Sequence, residues 1–324
     1  MKQQRINQLL KLLADGQFHS GEALGEILGV SRAAVHQMVE RIKALGLDVF
    51  SVSGKGYALS RELELLTKDA ISTVTQQTLP EFDVLSVVGS TNDEIKQRVE
   101  QKHLSNGYSL FAEAQTAGRG RRGKIWHSPY GSNLYLSLYW QLADGVQGAM
   151  GLSIVVGIAV ARQLASYGIA NVELKWPNDI YIDGRKVAGI LVELEGQSSG
   201  SAHAIIGMGV NINMTDPDVT AIDQPWAQLA DALPREISRN QLAADLLSAI
   251  YAALQQYQEQ GLAPLLGEWL EWDRYANQPV KLIMGNREVT GIARGIDENG
   301  ALILEQQGKH TRYFAGELSL RGLN

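Results

Sequence analysis

Gly118-Arg119-Gly120-Arg121-Arg122-Gly123-Lys124-Ile125-Trp126-His127-Ser128-Pro129-Tyr130-Gly131 decides how the middle of this chain is read. Its first seven residues fit two phosphate-binding patterns at once, G-x-G-x-x-G and G-x-x-x-x-G-K. Both patterns need a helix directly afterwards, because the helix N-terminus must receive the phosphates. Pro129 and Gly131 are unsuited to a helix interior, and from Asn133 onward Leu134, Leu136, Leu138 and Trp140 alternate as in a strand. Position 125 is Ile, where a P-loop needs Ser or Thr to hold magnesium. What remains is a loop whose glycines allow close backbone approach and whose Arg119, Arg121 and Arg122 offer fixed donors to a polyanion. Arginines separated by glycine pack poorly and are costly to order without an anion, which disfavours a bare exposed turn.

Toward the N-terminus the apolar spacing is helical. Ile6, Leu9, Leu10 and Leu13 form one face, with Gly16 as the stop. Ser20 is placed to cap a second helix with Ala23, Leu24, Ile27 and Leu28 as its buried face, ended by Gly29. Ser31 caps a third, with Val35, Met38, Val39, Ile42 and Leu45 inward and Arg32, His36, Gln37 and Arg41 among its polar residues. This is helix-turn-helix spacing. A hairpin follows, Val49-Phe50 to Val52 and Tyr57-Ala58-Leu59 around Ser53-Gly54-Lys55-Gly56, and reads as a wing with a lysine at its tip. Ser31, Arg32, His36 and Gln37 are the residues expected to reach base edges, and Lys55 to meet phosphate. A three-helix protein-interaction domain is the alternative, and the wing favours DNA.

Toward the C-terminus, Val172–Ile182 reads as a hairpin around Pro177-Asn178-Asp179, and a helix is expected from about Asn240 to Gly261. The segment closed by Trp269 and Trp272 precedes a change of period. Pro279–Ile283, Glu288–Ala293, Ala301–Glu305 and Arg312–Phe314 read as short strands of a small barrel. Met214–Trp226 is polar and turn-rich, as a loop covering a ligand should be. Gly148–Ala161 is apolar but short of the ~20 residues of a membrane span, so it is expected to be a buried helix.

The 324 residues allow two or three domains, and the absence of cysteine excludes disulfides, thiolate metal sites and thiol nucleophiles. The N-terminus lacks the pattern of a secretory signal, so a cytoplasmic protein is expected, without membrane association. Net charge is −6 overall, but residues 1–60 carry seven Lys/Arg against five Asp/Glu, a modest basic bias that fits a DNA contact at this end.

Five segments carry a resemblance: Ser90-Thr91-Asn92, the Gly-Arg loop with Trp126, Lys175-Trp176-Pro177-Asn178-Asp179, Arg185 through Glu193, and Gly207-Met208-Gly209-Val210-Asn211. In this order they resemble the motif set of biotin protein ligases. With the head and tail, the chain resembles the bifunctional bacterial members that also repress the biotin operon. The resemblance implies an α+β multidomain protein: a winged helix-turn-helix at 1–62, a central α/β catalytic domain at 63–271 with a mixed sheet of class II synthetase and lipoate-ligase type, and an SH3-like β-barrel at 272–324. It implies a ligase that uses ATP and biotin, with Mg2+, to form biotinyl-5′-AMP and transfer biotin to a lysine of the biotin carboxyl carrier protein of acetyl-CoA carboxylase. It also implies binding to operator DNA of biotin biosynthesis genes, by a homodimer that the adenylate promotes.

The site residues follow from the same resemblance. Ser90, Thr91, Asn92, Gln115, Arg119, Gly120, Arg121, Lys186, Gly189, Gly207 and Gly209 would bind biotin. Arg119, Arg121, Arg122, Trp126, Asn178, Asp179, Lys186, Asn211 and Trp226 would bind ATP or the adenylate, with Trp126 over the adenine and Trp226 closing from the ligand side. Lys186, bridging the biotin carboxylate and the α-phosphate, is the expected centre of catalysis, with Arg121 and Arg119 beside it. No direct metal ligand is assigned; Asp179 is the candidate to position magnesium or the incoming lysine amine, Lys175 to meet phosphate, and Glu317 and Arg321 to reach the ATP site, with turn conformation alone as the alternative reading of Lys175 and Asp179. Lys124 departs from the family, where arginine is common, which puts a bidentate contact there in doubt. Two rivals stay open: a lipoate-type acyl ligase, against which the Gly-Arg loop and the barrel argue, and a non-catalytic biotin sensor, which would not need Arg119, Arg121 and Lys186.

Overall fold

The computed structural model describes the chain except for residues 1, 102, 143–144, 146–148, 150, 197–201, 215–221, 223, 315–317 and 324. Helices α1 (Lys2–Leu13), α2 (Gly21–Leu28) and α3 (Arg32–Ala44) and the hairpin of β1 (Val49–Val52) and β2 (Gly56–Leu59) form the head. Both expected caps are present: Ser20 Oγ accepts from Ala23 N at 3.1 Å and Ser31 Oγ from Ala34 N at 3.2 Å. The turn between α2 and α3 is tight, since a Cβ on Gly25 would lie 2.8 Å from the Val30 carbonyl. That closeness corrects the expected face of α2. Leu24 and Leu28 are buried with Gly21 and Gly25, whereas Ala23 is exposed and Ile27 is 65% exposed, because the helix turns its glycines inward. At the wing, Gly56 is required: its Cβ would fall 2.0 Å from the His19 carbonyl, where His19 and Tyr57 exchange two backbone hydrogen bonds of 2.9 Å.

The central unit is a seven-stranded mixed sheet of β3 (Phe82–Val88), β4 (Ser109–Gln115), β5 (Leu134–Leu142), β6 (Val172–Lys175), β7 (Asp179–Ile182), β8 (Arg185–Gly196) and β9 (Ala202–Val210), in the order β3-β4-β5-β9-β8-β7-β6. Only β3 and β4 pair in parallel. Alternation on β5 sends Leu134, Leu136, Leu138 and Trp140 into the main core and Tyr139 to the opposite face. Six helices complete the unit: α4 (Lys68–Thr73), α5 (Thr91–Gln101), α6 (Leu152–Ser166), α7 (Leu229–Ala232), α8 (Arg239–Gln260) and α9 (Leu266–Trp272). The apolar stretch forms most of α6, buried against α8 and the sheet, and no helix among the described residues is long and apolar enough to cross a membrane. Ile95 of α5 joins Tyr108, Leu110, Tyr139 and Ile205 in the smaller core on the other face.

The tail is a five-stranded antiparallel sheet of β10 (Pro279–Met284), β11 (Arg287–Ile296), β12 (Leu302–Gln306), β13 (Lys309–Tyr313) and β14 (Leu318–Gly322), ordered β13-β12-β11-β10-β14. Four of these strands match the sequence reading and β14 is additional. Val280, Leu282, Leu304 and Leu320 share the main core with α6 and the central sheet. Trp176 Nε1 donates to the Gly300 carbonyl at 3.0 Å across this seam.

A polar clasp, buried at Glu113 and Arg239, fixes the segment between head and central unit. Glu64 accepts from the backbone N–H groups of Arg239 and Asn240 at the start of α8, at 2.6 and 3.2 Å. The Arg239 guanidinium donates to Glu113 Oε2 at 2.9 Å and to the Asn133 carbonyl at 2.7 Å, and Glu113 Oε1 accepts from Leu66 N. Leu63, Ala114 and Tyr130 join the core of the head, so the junction is packed as well as hydrogen-bonded.

Candidate functional site

The strand order places β9 beside β8, and this brings Gly209 opposite Gly189 and Gly207 opposite Leu191. With no side chain at 189, 207 or 209, the sheet has a bare floor, and a cleft of about 570 Å³ opens above it. Every residue expected to bind biotin or the nucleotide lines this cleft, from Ser90 through Trp226. They come from seven separate segments, so the convergence is a property of the fold rather than of any one motif.

One end is a neutral, hydrogen-bonding pocket. Thr91 N and Oγ1 donate to Gln115 Oε1 at 2.9 and 3.2 Å, and Gln115 Nε2 donates to Ser128 Oγ at 3.1 Å. Ser137 Oγ lies 2.7 Å from Thr91 Oγ1 and 2.5 Å from Asn92 Oδ1. Asn92 Nδ2 donates to Glu193 Oε2 at 2.7 Å, which fixes the amide orientation. Asn92 also explains Gly207, because a Cβ there would meet Asn92 Oδ1 at 2.4 Å.

The Gly-Arg loop is a small hairpin rather than the entry to a helix. Gly120 N donates to the Lys124 carbonyl at 2.7 Å and Trp126 N to the Gly118 carbonyl at 2.9 Å, around a single 3₁₀ turn at Arg121–Gly123. Both phosphate-loop readings are therefore excluded by geometry. Trp126 lies directly on the glycine floor: a Cβ on Gly209 would fall 2.3 Å from its Nε1, and one on Gly189 3.1 Å from its Cζ3. Its buried Nε1 has no hydrogen-bond partner among the described residues.

The loop arginines differ in their partners. Arg119 donates two hydrogen bonds to Asp93, of 2.6 and 2.5 Å, and another of 3.1 Å to Glu193; the bonds accepted by Asp93 raise its already high pKa further. Its charge is thus already answered by carboxylates at the cleft wall, where the sequence suggested a phosphate ligand. Arg121 donates to Asn178 Oδ1 at 3.1 Å, and burial lowers its pKa while the charge of Asp179 opposes that shift. Arg122 adopts φ 59° at the loop tip.

Lys186 sits where β8 begins, its Nζ 2.7 Å from Asp179 Oδ1 and 5.4 Å from the Trp126 ring. Lys186 N donates to the Pro225 carbonyl and Ala227 N to the Lys186 carbonyl, which lays Trp226 alongside the strand at the cleft. Asn211 Nδ2 donates to the Ala227 carbonyl at 3.1 Å, so its amide holds this segment. Lys175 and Arg321 also line the cleft. Glu317 and most of the expected covering loop, 215–221 and 223, lie outside the described residues.

Sequence reading missed Asp93 and Glu193. Asp93 directly follows the Ser-Thr-Asn triplet and Glu193 ends the Arg185–Glu193 segment; both carried a charge signal whose partner, Arg119, is remote in sequence.

Family models match at three places: an HTH domain over residues 5–58, the biotin/lipoate A/B protein ligase family over 84–211, and a biotin protein ligase C terminal domain over 275–321. The bifunctional ligase/repressor BirA of Salmonella typhimurium is 46% identical over 313 residues, covering 97% of this chain and 96% of its own length. The chain belongs to the bifunctional biotin ligase/repressor family. BirA of Escherichia coli K12 is 45% identical over 97% of the chain. The biotin protein ligase from Aquifex aeolicus, solved in complex with biotin and ATP, superposes with a TM-score of 0.61 at 27% identity, covering 75% of this chain and 99% of that one.

The head of this family member presents Arg32, His36 and Gln37 together on the exposed face of α3, with Lys55 exposed at the wing tip. Ser31 Oγ is engaged in the cap. Tyr57, which the sequence reading did not single out, ties wing to helix through a 3.3 Å contact between its hydroxyl and His36 Nδ1.

Proposed function

We propose that the protein is an ATP-dependent biotin protein ligase and biotin-responsive repressor, with the chemistry in the cleft of 63–271, DNA contact through 1–62, and closure of the cleft by 272–324. The observation that carries this reading is the division of one cleft. A neutral amide and hydroxyl pocket at Thr91, Asn92 and Gln115 suits an uncharged ureido ring, and the cations Lys186 and Arg121 stand across the glycine floor from it.

In the first step a biotin carboxylate oxygen bonds to the α-phosphorus of ATP and the bond to pyrophosphate breaks. Two anions must meet, so positioning and fixed positive charge supply the catalysis. Lys186 offers a point charge to both reactants, preset by Asp179, and Arg121 is oriented by Asn178. In the second step the amine of a carrier lysine attacks the acyl carbon, AMP leaves, and the amine loses a proton. Magnesium enters as Mg-ATP. Among the described residues no group of three or more His, Asp or Glu could hold a metal ion, and Asp179 would be the carboxylate nearest to an ion brought in with the phosphates.

Dimerisation promoted by the adenylate would match two heads to two half-sites. Among the described residues, β8 pairs only with β9 beyond Ile190, which leaves its other edge open to a second copy. Arg32, His36 and Gln37 would read base edges and Lys55 would contact phosphate, in the cytoplasm where operator DNA and carrier are both found.

The protein is expected to add one biotinyl group to a biotin carboxyl carrier domain when given biotin and Mg-ATP, with lipoate as the control. Transfer of lipoate in place of biotin would select the rival ligase, and binding without transfer would select the sensor. Sedimentation of the same mixture without carrier is expected to show dimer formation; an unchanged monomer fraction would contradict the coupling.

A further inference from the structure

Both legs of the Gly-Arg hairpin end on one chain of hydrogen bonds that runs through the neutral pocket. At one end, Ser128 Oγ donates to the Trp126 carbonyl at 2.9 Å and accepts from Gln115 Nε2 at 3.1 Å. Gln115 Oε1 accepts from Thr91 N at 2.9 Å, and the Thr91 hydroxyl stands between Gln115 Oε1 at 3.2 Å and Ser137 Oγ at 2.7 Å. Ser137 Oγ lies 2.5 Å from Asn92 Oδ1, and Asn92 Nδ2 donates to Glu193 Oε2 at 2.7 Å. Arg119, on the first leg of the hairpin, donates to the same carboxylate at 3.1 Å.

The two ends fix the direction of every bond between them. The Trp126 carbonyl and the Glu193 carboxylate can only accept. Asn92 therefore turns Nδ2 to Glu193 and Oδ1 to Ser137, and the single Ser137 proton goes to that oxygen. Thr91 N can only donate, so Gln115 turns Oε1 to it and Nε2 to Ser128. Protons thus point outward from Thr91 to an obligate acceptor at each end. Each amide keeps a second N–H, and both Asn92 and Gln115 line the cleft.

Packing holds these amides in place without choosing their orientation. A Cβ on Gly207 would lie 2.4 Å from Asn92 Oδ1 and 3.1 Å from its Nδ2, and one on Gly118 would lie 3.0 Å from Gln115 Nε2. Both amides therefore rest against bare backbone, where an amide turned by 180° has nearly the same shape. Hydrogen bonding alone selects between the two states. Ser137 is fully buried on β5, Glu193 reaches in from β8 opposite Ile205, and neither is among the residues lining the cleft. Lys96 is 3.8 Å from Glu193 but only 3.1 Å from Glu195, and it is not a link in the chain.

We infer that Glu193 and Ser137 are positioning residues of the biotin pocket: the carboxylate, acting through the serine hydroxyl and the Asn92 amide, sets which donors and acceptors the pocket presents. The inference rests on the biotin-ligase reading of the cleft. A glutamine at 193 is no longer an obligate acceptor, so Asn92 gains a second orientation and the Ser137 proton is free to turn. An alanine at 137 removes the same constraint from the other side.

Biotin-dependent exchange of labelled pyrophosphate into ATP, measured on the full chain, tests this with Glu193→Gln, Ser137→Ala, the double variant and Lys96→Met. The KM for biotin is expected to rise about five- to ten-fold in each single variant, the scale of one hydrogen bond. The exchange rate at saturating biotin should stay within about two-fold, because only ground-state binding of the ring is lost. The double variant should lie within about two-fold of the weaker single one, as for two links of one chain, and Lys96→Met should match the unaltered protein. An unchanged KM for biotin in both single variants, with exchange still running, overturns the inference and leaves the ligase reading standing. Effects that multiply in the double variant overturn it as well, since the two residues would then be independent supports. So does an equal rise in Lys96→Met, which would assign the effect to the charge around Glu193 rather than to the chain. If the unaltered protein shows no biotin-dependent exchange, the ligase reading itself fails.

Discussion

Lys186→Met is expected to lower biotin-dependent pyrophosphate release by at least about a hundred-fold, the scale on which a preorganised transition-state donor acts. Two losses combine. The point charge between carboxylate and α-phosphate disappears, and Asp179, 2.7 Å from the missing Nζ, becomes an unpaired anion facing two anionic substrates. Lys186→Arg should rescue poorly. Nζ sits 5.4 Å from the Trp126 ring and close over Gly189, where even a Cβ would come within 3.1 Å of it, so a planar fork does not fit the same space. In the double variant Lys186→Met with Asp179→Asn, part of the loss should return, because the unmatched carboxylate is gone. Single-turnover pyrophosphate release checks all three. A Lys186→Met protein that adenylates biotin within ten-fold of the normal rate would remove Lys186 from the centre of the mechanism.

Arg239→Met is expected to destabilise the fold by about 3–5 kcal/mol, the scale for breaking one side of a buried ion pair. The side chains of Arg239 and Glu113 are only 8% and 4% exposed, and without the guanidinium the Glu113 carboxylate and the Asn133 carbonyl lose their shared donor. Against a typical total of roughly 5–15 kcal/mol, that lowers the melting temperature by roughly 5–10 °C. Adding Glu113→Gln should recover part of the loss, because a neutral amide is cheaper to leave without a cation. The same substitution should loosen the head, since Glu64 and Leu66 hang on the same clasp at the junction. Thermal unfolding and limited proteolysis between residues 60 and 67 measure both effects. A melting temperature within 2 °C of the original would show the clasp to be dispensable.

The contrast between these two residues shows what sequence encodes locally and what it does not. Ser20 and Ser31 were legible as caps because a cap is settled within three residues of itself. The 172–182 hairpin, the strand from 134 and the long helix from 239 were legible for the same reason: side-chain period and turn chemistry are short-range. Lys186 was legible through a resemblance that spans the chain. Arg239 was not, because its partner Glu113 is 126 residues away and the two meet only after β4 and α8 have packed. Asp93 and Glu193 escaped in the same way, since no local pattern announces which carboxylate will reach Arg119.

Two other departures have one cause, the absence of a side chain. Glycines at 21 and 25 let α2 approach α3 so closely that Ile27 turns outward against its apolar character. Glycines at 189 and 209 leave room that the Trp126 indole fills directly, so its position depends on the sheet floor rather than on a ligand alone. Periodicity counts what side chains are present, and these contacts depend on what is missing.

The most direct test of the whole account is native mass spectrometry of the protein after incubation with biotin and Mg-ATP, without any carrier. One biotinyl-5′-AMP per chain, accompanied by an equal amount of pyrophosphate and absent when lipoate replaces biotin, is the predicted result. A chain that carries intact ATP and free biotin side by side, with no adenylate and no pyrophosphate, would contradict it.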